Sequence, residues 1–364
     1  MRYLLSGWTG HSNLGDDLLL YCTVSGIQAR DPNADIVILS YCVETTNELC
    51  ERWGISDVKV VQRLVGRIHW RWQLWRLARR SDYYVITGGS AIRDFSTASN
   101  SIVQQYKMAQ LAYFAGCYIE FIGLGAGPIW RSKSKRTIKR LFRFAYETIR
   151  DNASYNLLIS HGASKISHTA DLVFSMAPIV NEKDNKIKHV GLVLRRWDNA
   201  INGQANSFFP DWNLLLKEIK KRYPEANVSL FCMQSSTDFI DDDVGLARSV
   251  EKGINSQIKI VRLFDCTLDE VKFHFASVDL LISMRLHGLI LGALFGRRLI
   301  GIEYDPKVGG LLTDLGLAEY SVTYADGMFE NLSHVLNKVE SQCYCTRTLH
   351  KKALTNFNFI KMRK

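Results

Sequence analysis

Short, continuous runs of apolar residues alternate along this chain with longer segments whose apolar positions return every three or four residues. Runs rich in β-branched and aromatic residues read as strands buried on both faces, and the periodic segments between them read as helices. In the first half this predicts strands at 3–6, 35–39, 58–61, 83–87 and 118–124. Helices are expected over about 16–29, 46–52 and 102–115, with a basic helix over 133–147. Residues 178–188 are polar and lack any hydrophobic period. After them the alternation restarts, with strands at 189–194, 227–232, 258–261, 280–283 and 299–302. The helices of this half are expected at 212–222, 241–252, 268–276 and 286–295.

Strand–helix alternation of this kind builds a parallel sheet with helices on both faces. The expected architecture is therefore α/β, with two Rossmann-like domains facing across a cleft. The first is placed at 1–178 and the second at 189–345, joined by a linker at 179–188. Residues 346–364 form either a C-terminal tail or a returning helix. At 364 residues the chain exceeds what one ordinary core accommodates. Open sheets of this type bind ligands beyond the carboxyl ends of their strands, and the chemistry-bearing motifs fall there.

The first motif, Gly10 to Asp17, joins strand one to helix one and contains Asn13, Gly15, Asp16 and Asp17. Glycines let backbone approach a ligand, and a helix start offers free N–H groups to anions. Asp16 or Asp17 can bind sugar hydroxyls, or can simply cap the helix. Gly88-Gly89-Ser90 and the glycines at 123, 125 and 127 follow apolar strands, which suits either close ligand approach or tight turns. Arg150 ends another strand, and its guanidinium fork matches a carboxylate or phosphate. An Arg150–Asp151 surface pair of little energetic weight is the alternative. The sharpest segment is Arg285-Leu286-His287-Gly288, where a strand meets a very apolar helix. Anions are favoured at such a helix start, and a histidine there can act as a general acid. A histidine bonded within the core is the plainer reading. Lys307, one strand over, and Arg195, at the end of the second domain's first strand, can add positive charge to the same pocket.

Lys plus Arg number 46 against 36 Asp plus Glu, a net charge of +10, which suits an anionic partner. The 47% hydrophobic content excludes a disordered chain. The eight cysteines show neither zinc-ligand nor disulfide spacing, so they read as reduced, buried thiols of a cytoplasmic protein, and no metal is expected. No apolar run is long enough to span a membrane. Residues 67–80 interleave three tryptophans with five arginines. That composition suits an anionic lipid headgroup layer at the inner face of the plasma membrane, or an ordinary helix with buried tryptophans. No nucleic-acid motif is present, and nucleic acid is not expected as a partner.

Taken in order, these motifs resemble the polysaccharide pyruvyl transferase family. The carriers are S-N-L-G-D-D at 12–17, I-T-G-G at 86–89, G-L-G-A-G-P at 123–128, I-R-D-N-A-S at 149–154 and A-D-L-V-F at 170–174. S-M-R-L-H-G-L-I-L-G-A at 283–293 and I-G-I-E-Y-D-P-K-V at 300–308 are the most specific. The resemblance implies a GT-B-like fold. It also implies transfer of a pyruvyl group from phosphoenolpyruvate to a sugar of a polysaccharide precursor, as a cyclic ketal, with phosphate released. Phosphoenolpyruvate would be a co-substrate, and no cofactor is implied. Arg285 and His287 would be catalytic, and Arg150, Arg195, Arg285, Leu286, His287 and Lys307 would bind the donor. Asn13, Gly15, Asp16, Asp17, Gly88 and Gly89 would lie on the acceptor side, where a lipid-diphosphate-linked saccharide is one candidate. The alternative is a GT-B glycosyltransferase that uses a nucleotide sugar.

Overall fold

Strand β1 (Arg2–Ser6) buries four residues in succession because a parallel strand in the middle of a sheet is covered on both faces. The same logic runs through a computed structural model that describes residues 1–64, 69–94, 101–179, 186–197, 210–236, 242–253 and 258–360. From β1 the chain continues through α1 (Leu14–Gln28), β2 (Asp35–Ser40), α2 (Val43–Trp53), β3 (Val58–Gln62), α3 (His69–Ala78) and β4 (Tyr83–Thr87). Next come α4 (Ser101–Phe114), β5 (Tyr118–Leu124), α5 (Ser132–Leu141), β6 (Ala145–Ile149), α6 (Asn152–Ser160) and β7 (Ile166–His168). These strands form one parallel sheet in the order β3-β2-β1-β4-β5-β6-β7.

A second parallel sheet repeats the scheme. Its elements are β8 (His189–Val193), α7 (Trp212–Arg222), β9 (Asn227–Cys232), α8 (Asp243–Lys252), β10 (Lys259–Arg262) and α9 (Leu268–Ala276). They continue as β11 (Leu280–Ser283), α10 (Leu286–Leu294), β12 (Arg298–Glu303), α11 (Pro306–Asp314), β13 (Ser321–Thr323) and α12 (Met328–Leu336). The order is β10-β9-β8-β11-β12-β13. In both sheets the strand order reverses beside the first strand, at β1/β4 and at β8/β11. Ligands enter open α/β sheets at such a reversal.

The chain divides into two compact units. Met1–His11, Asp16–Met176 and Thr348–Lys364 make the first, and Ser12–Gly15 with Ala177–Arg347 make the second. Of the segment 179–188 expected to link domains, residues 180–185 lie outside the described residues. So do Arg67 and Ile68 of the Trp/Arg stretch and Asp241 at the head of an expected helix.

Two expectations are corrected. The basic helix expected over 133–147 stops at Leu141, and Ala145–Ile149 is strand β6. Helix α5 buries Ser134, Thr137, Ile138 and Leu141 at helical spacing, but from Ala145 the aromatic and β-branched residues pair with β5 instead. Pairing with the sheet there outweighs local helical preference. The cysteines are all free, but they are not all buried, since Cys343 and Cys345 are exposed.

The last described segment completes the first unit. Helix α13 (Arg347–Leu354) leads to a 3-10 turn, Thr355–Ile360, whose Asn356 is buried against β6 and the residues after β7. Asn356 Oδ1 accepts from the hydroxyls of Thr148 and Thr169, and its Nδ2 donates to the carbonyl oxygens of Ala170 (3.0 Å) and Ala353 (2.8 Å). Phe357 is fully buried beneath α1, where a Cβ on Gly26 would come within 2.2 Å of its ring. Arg30 lies over the same ring at 5.4 Å and donates to the Leu354 carbonyl at 2.7 Å. Replacing Phe357 with alanine leaves a cavity that the glycine-lined helix cannot close. The expected loss is about 3–5 kcal/mol of unfolding free energy, read from urea denaturation of the full chain.

Candidate functional site

Arg285 follows β11 and precedes α10, and its backbone is fixed by Ser283. Its N–H donates to Ser283 Oγ at 3.1 Å, and that hydroxyl donates to the Arg285 carbonyl at 2.8 Å. Gly288 keeps the turn close, because a Cβ there would lie 2.5 Å from Ser283 Oγ. The Arg285 side chain is buried. It donates from Nη1 to Gln234 Oε1 at 3.0 Å and from Nη2 to Asp243 Oδ1 at 2.6 Å. Asp243, the first residue of α8, accepts the backbone N–H groups of Met233 and Gln234 at its other oxygen, at 2.9 and 3.0 Å. Nε of Arg285 is buried and has no hydrogen-bond partner among the described residues.

Residues 12–15, where the chain enters α1, belong to this cluster. Asn13 Nδ2 donates to Gln234 Oε1 at 3.2 Å, its Oδ1 accepts the Gly15 N–H at 3.0 Å, and the Leu14 N–H donates to the Met233 carbonyl at 2.9 Å. Gly15 then lies against the imidazole of His287, the second residue of α10, and a Cβ at position 15 would stand 2.2 Å from Nδ1. Leu286, between Arg285 and His287, is buried.

Positive charge gathers beside this cluster around one ring. Tyr304 follows β12 and has Arg195 at 5.8 Å and Lys307 at 5.5 Å from its centroid, with Trp197 packed edge-on at 4.6 Å. Burial alone would raise the Tyr304 phenol, but Lys307, Arg195 and, more weakly, Arg285 outweigh it and hold the hydroxyl below its ordinary pKa. Lys307 also reaches Asp305 at 3.6 Å. Arg195 and Arg285 each stand two residues past paired positions, Val193 opposite Ser283, so they flank the strand reversal of the second sheet.

The remaining candidates lie in the first unit. Arg150, after β6, is buried and partnered by Asp171 (3.1 Å), Asp151 (3.5 Å) and Ser90 (3.4 Å). Gly125 lies under its guanidinium, where a Cβ would meet Nη2 at 2.7 Å. Two carboxylates offset much of the charge of Arg150. Gly88 packs on Leu19 of α1, and Gly89 adopts φ +72° near Asp16. Asp17 is buried, and burial, reinforced by Asp16 and opposed by Arg52, pushes its carboxyl up to about 8.

The structure therefore brings together Arg285, Leu286, His287, Arg195, Lys307, Asn13 and Gly15. Of the six residues that the resemblance puts on the acceptor side, Asn13 and Gly15 fall in the second unit, and Asp16, Asp17, Gly88 and Gly89 fall in the first. Gln234, Asp243, Trp197 and Tyr304 join the cluster without being expected there from the sequence. Tyr304 stood inside a recognised motif, whereas Gln234 and Asp243 carried no local signal. Among the described residues no cluster of His, Cys, Asp and Glu could hold a metal ion.

Two parallel α/β units whose first six strands follow the same order give the chain the GT-B fold. Residues 13–306 match the sequence model of the polysaccharide pyruvyl transferases, and the chain belongs to that family of transferases acting on polysaccharide. Among solved structures it is similar to the UDP-GlcNAc 2-epimerase of Methanocaldococcus jannaschii, with TM-score 0.61, 11% identity and coverage of 100% of both chains. It is also similar to a UDP-GlcNAc 2-epimerase of Neisseria meningitidis bound to UDP-GlcNAc, with TM-score 0.59, 10% identity, and coverage of 100% and 98% of the two chains. A glycosyltransferase of Rickettsia africae gives TM-score 0.57 at 10% identity over 100% of this chain and 99% of its own. These likenesses concern the fold. No curated protein matches the chain.

Asp17 generates a stability prediction. An unfolded aspartate releases its proton near 3.8, but the folded one keeps it to about 8. Between those values the unfolded state sheds a proton that the folded state retains, so stability falls as pH rises through the window and then levels off. Asp17→Asn should therefore raise stability more at about pH 8 than at about pH 5, read from urea midpoints. Glu147, raised in the same direction by burial, leaves a residual slope.

Proposed function

We propose that this chain moves the pyruvyl group of phosphoenolpyruvate onto a sugar of a polysaccharide precursor, forming a cyclic ketal and releasing phosphate. The observation that carries the reading is the gathering of Arg195, Arg285 and Lys307 about Tyr304, with His287 next to Arg285 at the start of α10. Phosphoenolpyruvate carries a phosphate and a carboxylate on one enol carbon, and fixed cations at a helix start suit that charge.

In this reading His287 delivers a proton to the methylene carbon. The enol carbon becomes an oxocarbenium-like centre that a sugar hydroxyl attacks, its proton returning to the imidazole of His287. Phosphate then leaves with its bonding electron pair, and a second hydroxyl of the same sugar closes the ketal, its proton passing to the departed phosphate. Asp243 and Gln234 hold Arg285 in place, and Gly15 leaves the space in which the imidazole stands. His287→Ala is expected to lower phosphate release by at least about a hundredfold with the fold intact. The assay is phosphate release together with a mass gain on a panel of nitrophenyl and lipid-linked sugars. Near-normal transfer by that variant would remove His287 from the role. Nucleotide release from UDP- or GDP-sugars without phosphoenolpyruvate would replace the reaction with glycosyl transfer.

We further propose that α3 rests on an anionic membrane face. Trp72 is 62% exposed with Arg76 at 4.9 Å from its ring, and Arg79 lies at 6.0 Å from the ring of the exposed Trp75. Aromatic rings and cations paired in this way suit a headgroup layer. Among the described residues no helix is long and apolar enough to cross a membrane. Flotation with phosphatidylserine vesicles at low salt should recover the protein. Trp72→Ala with Trp75→Ala should reduce recovery several-fold, and no recovery of the native protein would end the proposal.

A further inference from the structure

The proposed reaction makes no use of a row of side chains at the carboxyl edge of the first sheet, past β1, β2 and β3. Trp8, Tyr41 and Arg63 follow β1, β2 and β3. The parallel register, Ser6 opposite Leu39 and Ser40 opposite Gln62, sets them side by side. Backbone bonds continue the sheet past its last regular pairs, from Tyr41 N–H to the Thr9 carbonyl at 3.1 Å and from Arg63 N–H to the Ser40 carbonyl at 2.7 Å. The rings make a shelf. Trp8 lies 5.0 Å from Tyr41 and is stacked on His11 at 4.2 Å, and the Arg63 guanidinium lies 4.7 Å over Tyr41. Trp8 nevertheless remains 54% exposed.

Tyr41 and Arg63 are also walls of a cavity of about 450 Å³ lined further by Trp70, Arg71, Gln104 and Lys107. Its lining supplies three cations, Arg63, Arg71 and Lys107, and no carboxylate among the described residues. The Arg63 side chain donates to Met108 Sδ at 3.1 Å, and no described carboxylate pairs with it. Burial and the neighbouring Arg63 keep His11 below its ordinary pKa, so it serves the shelf as a neutral ring. Cations without counter-charges, one just past the end of β3 and the others on α3 and α4, call for a ligand with more than one negative charge. An exposed indole beside them offers its π face to the C–H face of a sugar ring.

We propose that this cavity and shelf bind a sugar diphosphate, with the diphosphate among Arg63, Arg71 and Lys107 and the attached sugar on Trp8. The assignment of that ligand as the acceptor rests on the reaction proposed above; its binding does not. The same chemistry can come from a lipid-linked saccharide or from a soluble nucleotide sugar.

Binding is measured by calorimetry on the full chain without phosphoenolpyruvate. The probes are N-acetylglucosamine diphosphate on a citronellyl chain, UDP-N-acetylglucosamine, inorganic pyrophosphate and the methyl glycoside of N-acetylglucosamine. At least one of the sugar diphosphates should bind about tenfold or more tighter than the methyl glycoside. Tighter binding of the citronellyl probe identifies the lipid-linked source, and tighter binding of the UDP sugar the soluble one. Arg71→Glu with Lys107→Glu, both on exposed side chains, should cost diphosphate binding about tenfold or more and leave the methyl glycoside unchanged. Trp8→Ala should weaken the sugar diphosphates and spare pyrophosphate. Native-like diphosphate binding by the charge-reversed protein, or a methyl glycoside that binds as tightly as the diphosphates, overturns the proposal. His287→Ala, which removes the proposed acid, should leave all of this binding in place. Failure of pyruvyl transfer alongside intact binding therefore counts against the reaction and not against this site.

Discussion

The buried pair between Arg285 and Asp243, 2.6 Å apart, is the constraint on which the second unit's site depends. A buried charge is tolerated only when a partner and hydrogen bonds replace the water it has lost. Here the carboxylate satisfies the guanidinium on one side and two backbone N–H groups on the other, so the residues after β9 and the turn after β11 cannot shift independently. Gln234 extends the arrangement to Asn13, and through that segment Gly15 comes to rest on His287. Loss of either charged partner would strand the other in a dry setting, and the imidazole two residues along would lose the frame that holds it.

Strand polarity explains where the chemistry collects. Every strand of both sheets runs parallel to its neighbours, so residues just past the strand ends share one edge. In the second sheet that edge holds Arg195, Arg285 and Tyr304, and in the first it holds Trp8, Tyr41 and Arg63. Asp243 and Asp305 temper the positive charge of the second, and Asp151 and Asp171 temper Arg150 in the first, whereas the cavity beside β3 meets no carboxylate among its described lining.

How much of this the sequence revealed depends on distance along the chain. Arg285, Leu286 and His287 were legible because a strand, a charge, an imidazole and an apolar helix follow one another within a few residues. The two α/β units were legible for the same reason, since buried parallel strands are continuous apolar runs. Asp243 and Gln234 were not, because they lie 42 and 51 residues from Arg285 and meet it only through the strand order β9-β8-β11. Trp8, Tyr41 and Arg63 looked ordinary one at a time, and the lateral register of three strands makes them a group. The misplaced end of α5 has a different cause, because a segment with helical neighbours was claimed by pairing to β5.

The return of residues 348–360 to the first unit has a consequence for biosynthesis. Nascent domains ordinarily settle in the order in which they leave the ribosome. Here the first unit must wait, because Phe357 beneath α1 and Asn356 beside β6 emerge only after the whole of 177–347 has been translated. The sheet of the first unit is thus sealed only after the second unit has been made, and until then the surface of α1 that Phe357 covers stays open.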